Sequence, residues 1–173
     1  MRISIGFTGT LEQRWGQLET ALRAGHVAVA LPGRFNVLNA LAALAVGLEL
    51  GVAFDDLAAA CAGFTGVARR FDVLGDRRGI TVVDDYAHHP TEVTAVLEAA
   101  HQAYPGRRLV TVFQPHLSSR TRDFADGFAR ALLGADIAVV LPIYAARERP
   151  MDGVDESLVV DAAVRLGHGA VST

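Results

Sequence analysis

The sequence predicts an α/β fold, with a mostly parallel sheet that carries helices on both faces and follows a mainly helical segment. Strand-like apolar runs cover residues 80–83, 109–113 and 137–141, and helical stretches separate them. Repeated strand–helix–strand units imply parallel strands joined by right-handed crossovers. A hydrophobic content of 51% over 173 residues is enough to fill a core of this kind.

The first part of the chain predicts two short strands and two helices. Residues 2–7 alternate in polarity and residues 26–31 form a short apolar run, so we expect a strand at each. A helix is expected over residues 36–50, and because it is apolar all round we expect it to be buried. Gly51 supplies a stop signal, and a shorter helix is expected over residues 55–62.

The patterning changes at residues 63–66, Gly-Phe-Thr-Gly, where we place a domain boundary. The predicted domains are therefore residues 1–66 and 67–173. After the boundary the strands named above alternate with helices, and the last predicted element is a strand. These further elements are predicted at residues 91–104, 121–133, 157–166 and 170–172.

The composition excludes several classes of function. All 16 basic residues are arginine, so this chain supplies neither a Schiff-base lysine nor the lysine of a phosphate-binding loop. The net charge of -3 argues against a nucleic-acid partner. With one cysteine, Cys61, no internal disulfide can form. The longest apolar stretch is too short to span a bilayer and no signal peptide is evident, so we expect a cytoplasmic protein without membrane insertion.

Polar side chains follow each predicted strand of the second domain. Ligands of open parallel sheets bind outside the carboxyl ends of the strands, where loops converge and helix amino termini present N–H groups. The three loops read DDYAHHP at residues 84–90, QPHLSSR at 114–120 and YAARE at 144–148. Their His, Asp, Arg and Tyr residues predict a site for an anionic ligand.

Each loop also has a structural interpretation. Asp84 and Asp85 precede a helix start, where solvated acids are favoured by the helix dipole. Arg147 and Glu148 alternatively form a surface ion pair of little energetic weight. A zinc site is the alternative for the histidines, although no carboxylate or cysteine stands at a typical ligand spacing. These histidines are His88, His89 and His116.

Two further features lie outside these loops. Asn36 and Asn39 are three residues apart, hence on one face of a helix that we expect to be buried, where an unpaired amide costs about 1–3 kcal/mol. Capping the helix accounts for Asn36 but not for Asn39, so a purine is a reasonable second partner. Arg69 and Arg70 form either a solvated pair or a phosphate site, since the guanidinium fork suits phosphate.

Taken together, these segments resemble the Mur ligase family. The matching segments are GRFNVLNALAA, GVARRFDVLG, VVDDYAHHPTEV, FQPHLSSRTRDFADGFARAL and ADIAVVLPIYAARE, which cover most of residues 31–157 in family order. DDYAHHPTE together with FQPH is specific to the branch that joins L-alanine to UDP-N-acetylmuramate. The resemblance implies a fragment of a three-domain enzyme: residues 1–66 as the tail of the central ATP-binding domain, and 67–173 as a Rossmann-like carboxyl-terminal domain truncated at its end.

The resemblance also implies ATP-dependent ligase chemistry. The γ-phosphoryl group of ATP would pass to the muramate carboxylate, and the amine of alanine would attack the resulting acyl phosphate. The implied cofactors are ATP and Mg²⁺, with the metal ligands mostly outside this chain, and the implied partners are UDP-N-acetylmuramate and L-alanine. Asn36 and Asn39 would contact adenine, Arg70 the ATP phosphates and Asp85 the ribose, while no catalytic residue is assigned.

For the incoming amino acid, the resemblance implies contacts from Tyr86, His88 and Arg120, with Arg120 on its carboxylate. Two positions depart from the family pattern: Phe35 replaces a histidine, and Leu117 replaces a second arginine. Leu117 removes a charge-assisted bond worth about 1.5–3 kcal/mol. Two alternatives therefore stay open, namely a related ligase that adds a peptide or another amino acid, and a non-catalytic nucleotide-binding module.

Overall fold

The computed structural model describes residues 26–173, which divide into two compact units. The described units are residues 26–31 with 36–65, and residues 32–35 with 66–173. Compactness alone does not identify either unit with a domain of a longer protein. The assignment of residues 1–66 and 67–173 to two enzyme domains therefore stays a prediction.

The first unit is helical where it has regular structure. Helix α1 spans Arg34–Glu49 and helix α2 spans Phe54–Gly63, close to the predicted positions. The two helices approach closely at Gly47, where an added Cβ would lie only 2.4 Å from a methyl carbon of Leu57. A larger residue at this position would therefore force the Leu57 side chain of α2 to shift.

Helix α1 is less buried than its composition predicts. Only Leu44 and Gly47 are buried, whereas Val37 is 46% and Leu38 is 54% exposed. Apolar composition permits burial, but burial also needs a covering surface, and α2 is a short helix. Asn39 is exposed as well, so the expectation that both asparagine amides are buried is wrong.

The two strands predicted in the first unit are not found among the described residues. Residues 26–31 have no regular structure, so the strand predicted there is wrong. An apolar run becomes a strand only when another segment pairs with it, and no described segment does so. Residues 2–7 lie outside the described part of the chain.

The second unit opens with a β-hairpin. Strands β1 (Asp72–Arg77) and β2 (Ile80–Asp84) pair antiparallel, and a bulge near Gly75 interrupts their register. Arg78 and Gly79 have φ of 54° and 76°, and left-handed residues at both turn positions match the twist of a two-residue hairpin. The prediction of β2 is confirmed, but its expected place in the parallel sheet is wrong, because its ladder partner is β1.

A three-stranded parallel sheet follows, with strand order β3-β4-β5. Its strands alternate with helices in the predicted order, which confirms the α/β class. No helix between residues 26 and 173 is long and apolar enough to cross a membrane. In chain order the elements are α3 (Pro90–Ala103), β3 (Val110–Phe113), α4 (Ser118–Leu132), β4 (Ile137–Val140), α5 (Ser157–Arg165) and β5 (Val171–Ser172).

The core of the second unit lies between this sheet and helices α3, α4 and α5. Phe113 and Val140 from the strands are buried with Phe128 of α4 and Val159 of α5. Val112 points to the opposite face of the sheet and is 63% exposed. Among the described residues, the three helices therefore pack on one face of the sheet, and the helices expected on the other face are not found in this part of the chain.

A capping box fixes the start of α3. The Glu92 carboxylate accepts hydrogen bonds from the backbone N–H groups of His88 (2.9 Å) and His89 (3.1 Å). The His89 ring accepts one from the N–H of Thr91 at 3.4 Å, and Pro90 occupies the first helical position, which proline favours. These bonds tie the loop after β2 to α3.

Candidate functional site

The loops that follow β2, β3 and β4 meet at one edge of the second unit. The N–H of Leu117 donates to the carbonyl of Tyr144 at 3.0 Å, and the N–H of Tyr144 donates to the carbonyl of Pro115 at 2.8 Å. Arg120, in the first turn of α4, reaches the loop after β2, where its Nη1 lies 3.5 Å from the His88 carbonyl oxygen. The loops converge here although β2 does not belong to the parallel sheet.

Four rings form a continuous row along this edge, which we call the ring row: Tyr86, His88, His116 and Tyr144. Successive ring centroids are 5.2, 6.0 and 5.6 Å apart. Nδ1 of His88 lies 2.8 Å from the carbonyl oxygen of Tyr86, which fixes the imidazole orientation. Arg120 Nη1 lies 3.5 Å from Nδ1 of His116. The structure thus places Tyr86, His88 and Arg120, the three residues expected to contact the amino acid, next to one another.

Arg120 is the half-buried cation of this group. Both of its contacts involve Nη1 at 3.5 Å, the upper limit of hydrogen bonding. Within residues 26–173 it forms no ion pair. A guanidinium in this setting can take a ligand carboxylate through its planar fork.

The imidazole of His116 favours its neutral form. Burial lowers the pKa of His116 below its ordinary value, and the charges of Arg120 and His88 lower it further against the opposing effect of Glu148. A neutral ring with its proton on Nε2 can accept at Nδ1 from the guanidinium. His116 therefore supports Arg120 without competing for an anion.

A strained turn at residues 69–71, which we call the arginine turn, adjoins the ring row. Arg69 and Phe71 have φ of 61° and 48°, and Phe71 is buried. The Asp85 carboxylate accepts from the N–H of Phe71 and the N–H of Ala87, each at 2.7 Å. The Arg69 guanidinium lies over the Tyr86 ring, 4.5 Å from its centroid. Asp85 is therefore an organising carboxylate and not a solvated acid.

Arg70 lies in this turn with an exposed side chain. Its charge acts on the nearby Glu92: burial raises the pKa of Glu92, but the N–H groups of His88 and His89 and the charges of His88 and Arg70 outweigh burial and lower it overall. Arg70 is thus an exposed cation near the amino terminus of α3.

The structure bears differently on the two alternative interpretations, solvated acids at Asp84 and a zinc site at the histidines. Asp84 forms an exposed ion pair with Arg69 at 3.6 Å, as the solvated interpretation expects. Within residues 26–173, no group of three His, Cys, Asp or Glu side chains is arranged to hold a metal ion. His89 instead caps α3 and lies edge-to-face with Phe124 at 5.0 Å.

Glu148 contacts α4 and not its neighbour Arg147. Its carboxylate accepts from the hydroxyl and the N–H of Ser119 at 2.5 and 2.9 Å. No individual contact was predicted for Ser119 or Tyr144, and His116 was named only as a possible zinc ligand and as part of a polar loop. These residues lie in the polar loops, but contacts between loops about 30 residues apart leave no local pattern in the sequence.

The asparagine pair lies on α1, in the first unit. Because α1 begins at Arg34, Asn36 falls within its first turn and is not its N-cap. Asn39 follows on the same helix face, and the adenine contacts of both residues stay a prediction. Phe35, which replaces a family histidine, packs in the second unit against a cluster formed by Phe71, Ala99 and Ala100.

Comparison with known proteins matches residues 69–172 to the family described as "Mur ligase, glutamate ligase domain". UDP-N-acetylmuramate–L-alanine ligases from Salinibacter ruber and an Arthrobacter species are 50% and 53% identical to the chain over 149 and 156 residues. These matches cover 86% and 89% of this chain but 31% and 33% of the relatives. The chain therefore spans about a third of the length of the curated relatives it matches.

Solved structures of similar proteins have the same fold as this chain. A UDP-N-acetylmuramate-alanine ligase from Thermotoga maritima superposes with a TM-score of 0.69 and 33% identity, over 84% of this chain and 30% of that protein. A folylpolyglutamate synthase from Mycobacterium tuberculosis, complexed with ADP and AMPPCP, gives 0.61 and 27% identity over 85% of this chain and 32% of that protein. With a family match over more than half of its length and this fold, the chain belongs to the Mur ligase family.

Proposed function

We propose that this chain is part of a cytoplasmic, ATP-dependent ligase that joins L-alanine to UDP-N-acetylmuramate in peptidoglycan precursor synthesis. The observation that carries the proposal is the identity of about 50% over more than four-fifths of the chain to ligases of that name. Because the chain spans about a third of those relatives, the proposed activity belongs to a longer protein.

The proposed reaction has two steps. The muramate carboxylate attacks the γ-phosphorus of ATP, the bond from that phosphorus to the β,γ-bridging oxygen breaks, and ADP leaves. The amine of alanine then attacks the acyl carbon, the carbon–oxygen bond to phosphate breaks, and the amine loses a proton as the amide forms. Mg²⁺ would neutralise phosphate charge when bound; residues 26–173 contain no cluster of three or more His, Cys, Asp or Glu side chains that could hold it, and we assign no step to it.

In the acceptor site, Arg120 binds the carboxylate of alanine while Tyr86 and His88 contact the amino acid beside it. Support comes from the half-buried guanidinium, which has no ion-pair partner within the described residues. His116 beside it is held neutral, which leaves Arg120 to attract the carboxylate. Orienting the amine toward an acyl phosphate is the contribution that such a site makes to the rate.

For ATP, the proposed contacts in the second unit are Arg70 to the phosphates and Asp85 to the ribose. On the family resemblance, Asn36 and Asn39 of the first unit are proposed to contact the adenine. Asp85 uses each carboxylate oxygen for one backbone N–H, and each oxygen retains a second lone pair for a ribose hydroxyl. The nucleotide complex of the similar folylpolyglutamate synthase supports nucleotide binding by this fold.

A ligase for another amino acid is the second candidate. Leu117, which stands where the family pattern has a second arginine, supports it. Leu117 occupies the N-cap of α4, one turn from Arg120, so the acceptor site has one guanidinium at a place where two are expected.

The test uses the full-length protein with UDP-N-acetylmuramate, ATP and L-alanine, and detects the amide product by mass spectrometry. Product should form with stoichiometric phosphate release. The isolated 173-residue chain should give neither product nor ATP hydrolysis, because it has no lysine for a phosphate loop. Substantial ATP turnover by the rigorously purified isolated chain would contradict the proposal.

A further inference from the structure

The amino terminus of α4 lacks a cap from its own N-cap residue. Leu117 holds that position with φ of 72°, and its side chain makes no capping bond. The first helical bond runs from the N–H of Thr121 to the Leu117 carbonyl at 3.0 Å. The N–H groups of the preceding helical residues therefore need acceptors from elsewhere.

Glu148 supplies an acceptor from the loop after β4, 29 residues along the chain. Oε2 accepts from the N–H of Ser119 at 2.9 Å, and Oε1 accepts from its hydroxyl at 2.5 Å. A carboxylate at a helix amino terminus is also favoured by the helix dipole. Hydrogen bonds from the Ser119 hydroxyl and N–H lower the pKa of Glu148, so the side chain is ionised at neutral pH.

The loop that carries Glu148 is held in place against the loop that starts α4. Tyr144 exchanges backbone hydrogen bonds with Pro115 and Leu117, and the Glu148 N–H donates to the Ala145 carbonyl at 2.9 Å. Ala146 between them is left-handed, with φ of 51°, which closes this turn. These hydrogen bonds fix the position of the Glu148 backbone, so its carboxylate is held next to Ser119.

The position of the first turn of α4 depends on the contact between Glu148 and Ser119. The backbone of Phe124 departs from helical geometry, with φ of -121° and ψ of 16°, so the first turns are not continuous with the rest of α4. Ser119, which Glu148 holds, directly precedes Arg120. The guanidinium of Arg120 lies 3.5 Å from both the His88 carbonyl and His116 Nδ1, contacts that a shift of this turn would break.

We propose that Glu148 is a positioning residue for the acceptor site: it caps α4 in place of Leu117 and so fixes the direction of Arg120. This inference rests on the proposed function, in which Arg120 binds the acceptor carboxylate. Glu148 acts through Ser119 and touches no substrate. A direct contact from Glu148 to the acceptor ammonium is the competing role, and it predicts a different response to substitution.

The test compares Glu148→Ala, Glu148→Gln and the control Glu98→Ala, which removes an exposed acid on α3. Glutamine keeps an oxygen for the Ser119 N–H and an amide donor for its hydroxyl, but it has no charge. In the full-length ligase, Glu148→Ala should raise the KM for L-alanine roughly 5- to 20-fold, the range expected for a lost cap, with the KM for ATP within about 2-fold. Glu148→Gln and Glu98→Ala should stay within about 3-fold of the parent for alanine.

Hydrogen exchange of the 173-residue chain provides a readout that does not depend on the reaction. The Ser119 amide should exchange faster in Glu148→Ala than in the parent or in Glu148→Gln. An active parent whose KM for alanine is unchanged by Glu148→Ala would overturn the positioning role alone. Equal damage from Glu148→Gln and Glu148→Ala would overturn it in favour of a direct charge contact. A parent that releases no phosphate with any amino acid would overturn the proposed function, and the positioning role with it.

Discussion

The carboxylate of Asp85 accepts a hydrogen bond from the backbone N–H of Phe71 at 2.7 Å, across 14 residues of sequence. Its other oxygen accepts from Ala87, also at 2.7 Å. Phe71 is buried with φ of 48°, and left-handed backbone at such a residue costs on the order of 1–3 kcal/mol. One carboxylate therefore holds the turn that presents Arg70 and the loop that presents Tyr86.

Replacing Asp85 should affect both stability and nucleotide binding. Asp85→Ala leaves two N–H groups without their acceptor, so the free energy of unfolding of the chain should fall by about 1–3 kcal/mol in urea denaturation. Asp85→Asn keeps one acceptor oxygen and should lose less, and Asp161→Ala, at an exposed acid of α5, is the control. In the full-length ligase Asp85→Ala should raise the KM for ATP. An unchanged unfolding midpoint would show that this carboxylate does not hold the turn.

Replacing Arg70 should lower kcat as well as ATP binding. Its proposed partner is the phosphate chain, whose charge is redistributed in the transition state, so the interaction strengthens as the reaction proceeds. Arg108→Ala removes an exposed arginine of the same unit and serves as the control. Steady-state phosphate release measures both variants. If Arg70→Ala behaves like Arg108→Ala, the arginine turn is not the phosphate site.

The depressed pKa of His116 predicts a pH dependence of stability. Burial and the neighbouring charge of Arg120 place its pKa below the ordinary value of 6.5. The unfolded chain then binds more protons than the folded chain between these two values, so stability falls as pH decreases through that window. NMR titration should give a midpoint below 6.5, and His116→Phe should flatten this part of the stability curve. A midpoint above 6.5 would reverse the sign and refute the assignment.

Restoring the second arginine should tighten acceptor binding. Leu117 already has a left-handed backbone with φ of 72°, so Leu117→Arg should add no backbone strain beyond that of the parent. A second charge-assisted bond would lower the KM for alanine by roughly 10-fold or more. Leu117→Met changes the side chain without adding charge and is the matched control. A higher KM in Leu117→Arg would mean that the two guanidinium groups repel each other and do not share a carboxylate.

The sequence predicted the helices and the parallel strands closely, because each has its own local signal. Helix α3 was expected at residues 91–104 and spans Pro90–Ala103. Strand β1 was not predicted, because its Gly75 and its exposed side chains give no period-two pattern. The pairing of β2 also could not be predicted, since the ladder partner of a strand is a property of tertiary structure.

In the site, too, features with a local sequence signal were predictable, and features set by tertiary structure were not. The loops after β3 and β4 were predictable, because loops after parallel strands meet at one edge. The loop after β2 reaches the same edge although β2 lies outside the parallel sheet, so Tyr86 and His88 lie with Arg120 there for a reason the prediction did not contain. The contact of Glu148 with Ser119 depends on two loops whose relative position no local pattern encodes. The prediction that Asn39 is buried was wrong, because composition does not show which surface, if any, covers a helix.

Amino-acid-dependent phosphate release by the full-length protein, with alanine, glycine and serine as acceptors, measures directly whether Arg120 holds the carboxylate of alanine. The parent should prefer alanine. Arg120→Ala should lose about 1.5–3 kcal/mol of acceptor recognition, which is roughly 10- to 150-fold in kcat/KM for alanine, with little change in ATP binding. An Arg120→Ala variant that uses alanine as well as the parent would show that Arg120 does not bind the acceptor carboxylate. A parent that prefers another acceptor would show that alanine is not its substrate.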